Sequence, residues 1–339
     1  MRRAVVGFAL IAAAALPAVA SAQTPTQTQT AAPAQTTATA PAPAKRQAQV
    51  QASMTLSLAR VGGKRRVALA HDRIRVTGRL SAFAPGERIQ IQVFRGTRMI
   101  KFRTVGIQQD PNGGASFLLG VESRRPGRLI VRAMHAATPA LGAFTATSQS
   151  IEILPRRVAR RSGRVAISAL QTRLKRLGYV VGRRGRFDAR TRRAVLAFRK
   201  VTGMRRTMRA STSVMRRIAR GRGAFRIRFP SHGRHMEADM SRQVLVLIEN
   251  RKVRRIYPIS SGKASTPTVL GHFRVYSKTP GTNSKGMVHS AYFIRGYATH
   301  GYASVPIYPA SHGCLRVPIP DARSLYNWIR IGTPIDTYR

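Results

Sequence analysis

Between residues 53 and 155 apolar and polar positions alternate in short runs: Met54-Thr55-Leu56-Ser57-Leu58, Ile74-Arg75-Val76, Ile89-Gln90-Ile91-Gln92-Val93, Leu129-Ile130-Val131 and Ile151-Glu152-Ile153. Period-two alternation turns one face of a strand to a core and the other to water. Turn signals separate the runs at Gly62-Gly63, Pro85-Gly86, Pro111-Asn112-Gly113-Gly114 and Pro126-Gly127. Short strands at this spacing predict an antiparallel β-sandwich of immunoglobulin-like type. No catalytic constellation falls inside it, so it reads as a spacer or protein-binding module.

The period then lengthens. After a basic joint, Arg156 to Arg161, Leu170, Leu174 and Leu177 recur at helical spacing and Gly178 ends that helix. Gly182 and Gly185 mark a loop. Asp188 stands just ahead of a second predicted helix, Ala189 to Val201, where its carboxylate can accept from free first-turn amides. A third helix is predicted from Ser211 to Ala219. From Met236 strands return: Val244 to Ile248, a turn over Glu249 to Lys252, Val253 to Ile259, Gly271 to Val275, and a possible strand at Tyr292-Phe293-Ile294. A final helix, Asp321 to Ile329, leads through Gly332-Thr333-Pro334-Ile335 into a last short strand. The expected fold is multidomain and mainly β with a small α domain: a sandwich at 53–155, three helices at 165–222 and a β-rich domain at 236–339.

Residues ahead of these patterns change the compartment. Arg2 and Arg3, the uncharged run Ala4 to Leu16 and the small-x-small site Ala20-Ser21-Ala22 predict a signal peptide over 1–22, too short to span a bilayer. The expectation is an exported protein of the cell wall or periplasm. Residues 23–52, rich in Thr, Ala, Pro and Gln, predict a disordered linker. Sixty Lys and Arg against 11 Asp and Glu give a net charge of +49, a field that attracts polyanions. Export sets nucleic acid aside and leaves anionic wall polymers and lipid headgroups. The charge is spread over every region and is mostly Arg, which fits general retention better than a specific site.

The chain has one cysteine, Cys314, in Ser311-His312-Gly313-Cys314-Leu315-Arg316. An odd thiol in an exported chain is an intermolecular partner or a free, reactive group. The thiolate is the attacking form, so a nucleophilic Cys314 needs a base or imidazolium within reach. His312 would share its face in an extended segment; His300, in Thr299-His300-Gly301, would approach from an adjacent strand. Gly313 lets backbone come close to a reacting carbonyl, and amides near Cys314 can form an oxyanion hole.

Two resemblances sharpen this. Leu170-Gln171, Leu174, Leu177-Gly178-Tyr179, Gly185, Phe187-Asp188, Thr191, Ala194-Val195, Phe198 and Gly203 resemble the small helical peptidoglycan-binding domain of many wall hydrolases, with Arg199 where that family often has Gln. His300-Gly301, a spacer and Ser311-His312-Gly313-Cys314-Leu315-Arg316-Val317 resemble the active-site signature of the YkuD-type L,D-transpeptidases. Ser260-Ser261-Gly262-Lys263, Thr266-Pro267 and Gly271-His272-Phe273 resemble that family's first half. This second resemblance implies that Cys314 is acylated by a peptidoglycan tetrapeptide stem with loss of D-Ala. The acyl group then passes to a neighbouring stem's side-chain amine, giving a 3-to-3 cross-link. It implies His300 as base, the Gly301 carbonyl holding its tautomer, and Ser311, His312 and Gly313 shaping the oxyanion and acyl pocket. Arg316 and Tyr302 fall to the loop or the substrate. No cofactor and no metal is implied, and carbapenems are expected to acylate Cys314.

Three rivals stand beside this reading. A zinc site from His300, His312 and Cys314 suffers from the tight His-x-Cys spacing and the lack of a nearby acidic base. A wall-binding protein without activity would not need the intact Cys, His, Gly and Arg set. An L,D-carboxypeptidase would use the same acyl-enzyme with water as acceptor. His272 and His289 read as incidental.

Overall fold

The computed structural model describes residues 49–59 and 66–339; the expected signal peptide and most of the expected linker lie outside them. The last linker residues depart from the expectation of disorder. Val50 bridges Leu141, its amide donating to the Ala140 carbonyl at 3.2 Å and its carbonyl accepting from Gly142 at 3.0 Å.

Ten strands follow: β1 (Met54–Leu58), β2 (Val67–Leu69), β3 (Ile74–Leu80), β4 (Arg88–Arg95), β5 (Arg98–Gly106), β6 (Gln108–Gln109), β7 (Ala115–Val121), β8 (Gly127–His135), β9 (Phe144–Thr147) and β10 (Ile151–Leu154). They form two sheets, ordered β1-β3-β7-β6 and β2-β10-β8-β4-β5, with β9 paired to β8. Alternating inward residues such as Ile74, Val76, Ile89, Ile91, Val93 and Val131 share one core between them. The expected antiparallel pairing does not hold where β2 runs parallel to β10 or at the Val50–Leu141 bridge.

Three helices come next: α1 (Arg164–Arg176), α2 (Ala189–Val201) and α3 (Thr212–Ala219). The Asp188 carboxylate accepts from the Thr191 amide at 2.8 Å, a cap worth about 1 kcal/mol. Gly178, at φ +91°, turns the chain out of α1.

The last domain holds β11 (His235–Asp239), β12 (Val244–Glu249), β13 (Lys252–Pro258), β14 (Gly271–Arg274), β15 (Ser277–Thr282), β16 (Val288–Ile294), β17 (Tyr297–Tyr302), β18 (Leu315–Pro318), α4 (Ile319–Trp328) and β19 (Pro334–Tyr338). A five-stranded sheet, β13-β12-β11-β19-β14, faces a four-stranded one, β15-β16-β17-β18. Met236, Leu245, Leu247, Tyr257, Phe293 and Leu315 fill the space between them, with Ala322 and Leu325 of α4. The helix begins ahead of the expected Asp321 because Pro320 is tolerated in a first turn, where no amide is needed.

The other face of the five-stranded sheet is covered too. Val244, Val246, Ile248 and Ile256 pack with Leu174, Tyr179, Val195 and Phe198 of the helices, and Leu69 and Leu154 of the sandwich join the same cluster. Among the described residues no helix is long and apolar enough to cross a membrane.

Candidate active site

The alternation rule fails over Tyr297–Tyr302 because β17 is interior to its sheet, flanked by β16 and β18, and four of its six residues are buried on both faces. β17 runs parallel to β18 with Thr299 opposite Leu315, His300 opposite Arg316 and Gly301 opposite Val317. Cys314 immediately precedes β18. It lies two residues before the partner of His300, so thiol and imidazole occupy the same face as diagonal neighbours.

His300 is 2 % exposed. Its Nδ1 lies 2.9 Å from the Gly301 carbonyl oxygen, which can only accept, so the ring proton sits on Nδ1 and Nε2 keeps its lone pair. Burial pushes His300 below the ordinary imidazole range and the Arg316 charge adds to this, while the bond to Gly301 opposes it. Burial pushes the Cys314 thiol up, against the Ala298 amide and the Arg316 and Lys285 charges. Both shifts favour the uncharged forms, thiol and imidazole.

Gly301 owes its identity to space. A Cβ there would come within 2.6 Å of Ala322 Cβ on α4. Gly313 is required twice over, by φ +113° and by the Tyr297 ring, whose Cε1 would stand 2.3 Å from a Cβ.

The turn bearing the thiol is tied from within and from outside. Ser311 Oγ donates to the Cys314 carbonyl at 2.6 Å and accepts from the Gly313 amide at 3.1 Å. Thr268 Oγ1 donates to the Gly313 carbonyl at 2.8 Å and accepts from the Gly262 amide at 3.0 Å. The Ser261 carbonyl accepts from the Ala310 and Ser311 amides, and the Gln243 side-chain amide donates to Ser261 Oγ and accepts from the Ser261 backbone amide. The Ser260-to-Lys263 stretch is thus a clamp on the cysteine loop.

Residues 233–336 match the L,D-transpeptidase catalytic domain model, YkuD, and residues 164–218 match the putative peptidoglycan-binding domain model. A solved L,D-transpeptidase from Xylanimonas cellulosilytica is 33 % identical over 54 % of this chain and 98 % of its own, at a TM-score of 0.49. The chain belongs to the L,D-transpeptidase family. The Mycobacterium tuberculosis L,D-transpeptidase 1 is 24 % identical over 32 % of this chain and 62 % of its own, at a TM-score of 0.26. The Enterococcus faecium catalytic domain acylated by ertapenem is 26 % identical over 31 % of this chain and 97 % of its own, at a TM-score of 0.27. No curated protein matches the chain.

Within this L,D-transpeptidase domain the motif residues divide. His300 and Cys314 come together with Arg316, whose guanidinium lies 4.1 Å from the Tyr302 ring centroid and donates to the Ala310 carbonyl at 3.3 Å. Tyr302 also meets His300 edge-on, at 5.6 Å between centroids. Arg316 and Tyr302 therefore brace His300 and the loop. His312 is exposed. The rival zinc set does not converge, because among the described residues His300, His312 and Cys314 do not bring their ligand atoms within 4.8 Å of one another.

Sequence reasoning missed Thr268, Gln243 and the Ala298 amide as parts of the site, whereas Tyr297 stands against Gly313 as the groove-wall or core residue that the sequence suggested. Thr268 had a signal, since it follows the quoted Thr266-Pro267. Gln243 had none. A cavity of about 790 Å³, lined by Lys200, Arg206, Arg226, Arg228, Asp239 and Arg242, includes none of the motif residues and lies between the helical and catalytic domains.

Proposed function

We propose that this protein is an exported peptidoglycan L,D-transpeptidase that makes 3-to-3 cross-links through an acyl-enzyme on Cys314. The reading rests on one observation above others: a buried His300 whose Nδ1 is committed to the Gly301 carbonyl, on the same face as Cys314. His300 Nε2 takes the thiol proton as sulfur attacks the carbonyl that links the third stem residue to D-Ala. The tetrahedral oxyanion needs amide donors, and the Gly313 amide is engaged by Ser311 Oγ, so the amides of His312 and Cys314 are the candidates. His300 returns its proton to the leaving D-Ala amine, and a thioester remains. A side-chain amine of a second stem then attacks it, His300 accepts the amine proton, and the thiol is restored as the new amide forms.

The helical domain would hold the wall polymer, in keeping with its match to a peptidoglycan-binding domain model, and the surplus of cations would retain the protein among anionic wall polymers. A carbapenem would acylate Cys314 by the same attack, its strained lactam carbonyl replacing the peptide. Water as acceptor would make the enzyme an L,D-carboxypeptidase.

Mass spectrometry of the protein incubated with disaccharide-tetrapeptide, beside Cys314→Ala, separates these readings. Cross-linked dimer with released D-Ala, absent from the variant, supports the transpeptidase. Tripeptide without dimer means hydrolysis, and an unchanged substrate removes the enzymatic reading.

A further inference from the structure

Strand register, not closeness in sequence, sets a row of polar side chains on the outer face of the five-stranded sheet. β11 runs parallel to β19 with Glu237 opposite Asp336, and β14 runs antiparallel to β19 with His272 opposite Asp336. Directly opposed residues point the same way, so Glu237, Asp336 and His272 stand side by side. Their chain neighbours Met236, Ile335 and Phe273 point into the catalytic core. His232, in the loop ahead of β11, completes the group.

Asp336 is 1 % exposed. Its Oδ1 lies 2.6 Å from His272 Nδ1, and both its oxygens lie 3.1 Å from His232 Nδ1. One oxygen and two ring nitrogens thus fall within 4.8 Å of one another. The Phe229 ring holds both imidazoles in place, stacked on His232 at 5.2 Å and edge-on to His272 at 4.9 Å. Neighbouring Glu237 is otherwise engaged: it accepts from the Arg228 and Phe229 amides, the Tyr338 hydroxyl and His235.

Two imidazole nitrogens and a carboxylate oxygen are a donor set for a divalent ion of intermediate softness, with an open position left for water. Ligands about 2.0–2.1 Å from a tetrahedral zinc stand roughly 3.3 Å apart, close to the 3.1 Å from His232 to Asp336 and wider than the 2.6 Å from His272, so the exposed His272 ring must draw back to admit the ion. Binding needs each ring to present the Nδ1 lone pair in place of an N–H, so the ion takes over the contacts that join the two rings to Asp336. The negative charges of Asp336 and Glu237 offset Arg228, whose guanidinium lies over the Tyr338 and Phe229 rings.

We propose that His232, His272 and Asp336 form a binding site for a divalent transition-metal ion, zinc foremost. Its role is structural. Cys314 and His300 belong to the other sheet, whereas this ion would fasten the segment entering the catalytic domain to β14 and to the final strand, β19. The proposal does not depend on the transpeptidase reading.

The test titrates zinc by calorimetry, and cobalt by visible absorption, into the full chain carrying Cys314→Ser, which removes the thiol as a competing ligand. One equivalent is expected, with tetrahedral cobalt bands. His272→Ala and His232→Ala each weaken binding at least tenfold, as loss of a direct ligand should. Zinc raises the thermal midpoint of the parent and not that of His272→Ala, because an ion bound only by the fold stabilises it. Asp336→Asn abolishes binding; should that variant not fold, the two histidine variants decide, since both side chains are at least a third exposed. No binding at submillimolar zinc, or binding equal in parent and histidine variants, overturns the site and leaves a hydrogen-bonded cluster.

Discussion

His300 sits below the ordinary imidazole range and Cys314 above the ordinary thiol range, each moved chiefly by burial. Burial disfavours whichever form is charged, imidazolium for one and thiolate for the other. Both shifts favour the neutral pair, so in the proposed mechanism the proton would move only as sulfur attacks. The acid limb of kcat/KM for D-Ala release should then fall below pH 6.5, because His300 stays an unprotonated base to lower pH than a free imidazole. His300→Gln should lower turnover by about 10²–10⁴-fold, the usual worth of a positioned base, and flatten that limb. A limb that stayed in place in the variant would assign it to another group. From the residues alone His312 and His300 were both candidates for the base. His312 is two residues from the thiol yet exposed, and His300, 14 positions away in sequence, lies buried on β17, which pairs in parallel with the β18 strand that Cys314 leads into.

Among the elements, the loop that presents Cys314 has little regular structure and depends on its clamp. Thr268 is 6 % exposed, and its hydroxyl satisfies the Gly262 amide and the Gly313 carbonyl at once. Thr268→Val keeps the shape and removes both bonds, leaving the two groups unpaired at a cost of about 1–3 kcal/mol. We expect a lower urea midpoint together with a fall in kcat that exceeds any change in KM, since the turn holding the thiol loosens. Unaltered turnover in a destabilised protein would limit Thr268 to a structural role. The helices were legible as elements because each shows one apolar stripe at helical spacing and α2 a capping Asp188. The strands β15 and β17 were not. The first is an exposed Lys-, Thr- and Pro-containing edge, and the second is buried on both faces, so neither shows period-two alternation.

Over the whole molecule, a single hydrophobic cluster runs from the sandwich through the helices to the catalytic sheet. Polar links cross the same boundary: Arg190 on α2 donates to the buried Asp321 of α4 at 2.6 Å, and the Ile256 amide donates to the Gly178 carbonyl at 2.8 Å. Lys200, 3 % exposed, reaches from α2 to the Gln243 and Ile259 carbonyls, at 3.1 and 2.9 Å, behind the clamp on the cysteine loop. Burial, aided by the Arg206 charge, pushes it down to about 7. In the unfolded chain Lys200 returns to its ordinary value near 10.5, so between these values the unfolded state binds a proton that the fold has released. Stability should consequently rise with pH from about 7 to 9, below the range where the raised Cys314 thiol adds an opposite slope. Urea midpoints across that window should climb in the parent and climb less in Lys200→Gln, which keeps one donor for the carbonyls; equal slopes would refute the assignment.

By itself the sequence determined what local rules control. Helical stripes and their caps, most alternating strands, the single thiol and its signature, and the peptidoglycan-binding resemblance all depend on residues close along the chain, where spacing alone sets which face a side chain takes. Tertiary structure alone decided which distant residues became neighbours. His300 meets Cys314, Thr268 and Gln243 brace the loop, Lys200 crosses from one domain into another, and His232, His272 and Asp336 converge from 104 positions of sequence. The physical reason is that strand pairing and shared burial fix such contacts through register and packing, neither of which leaves a periodic trace in the order of residues.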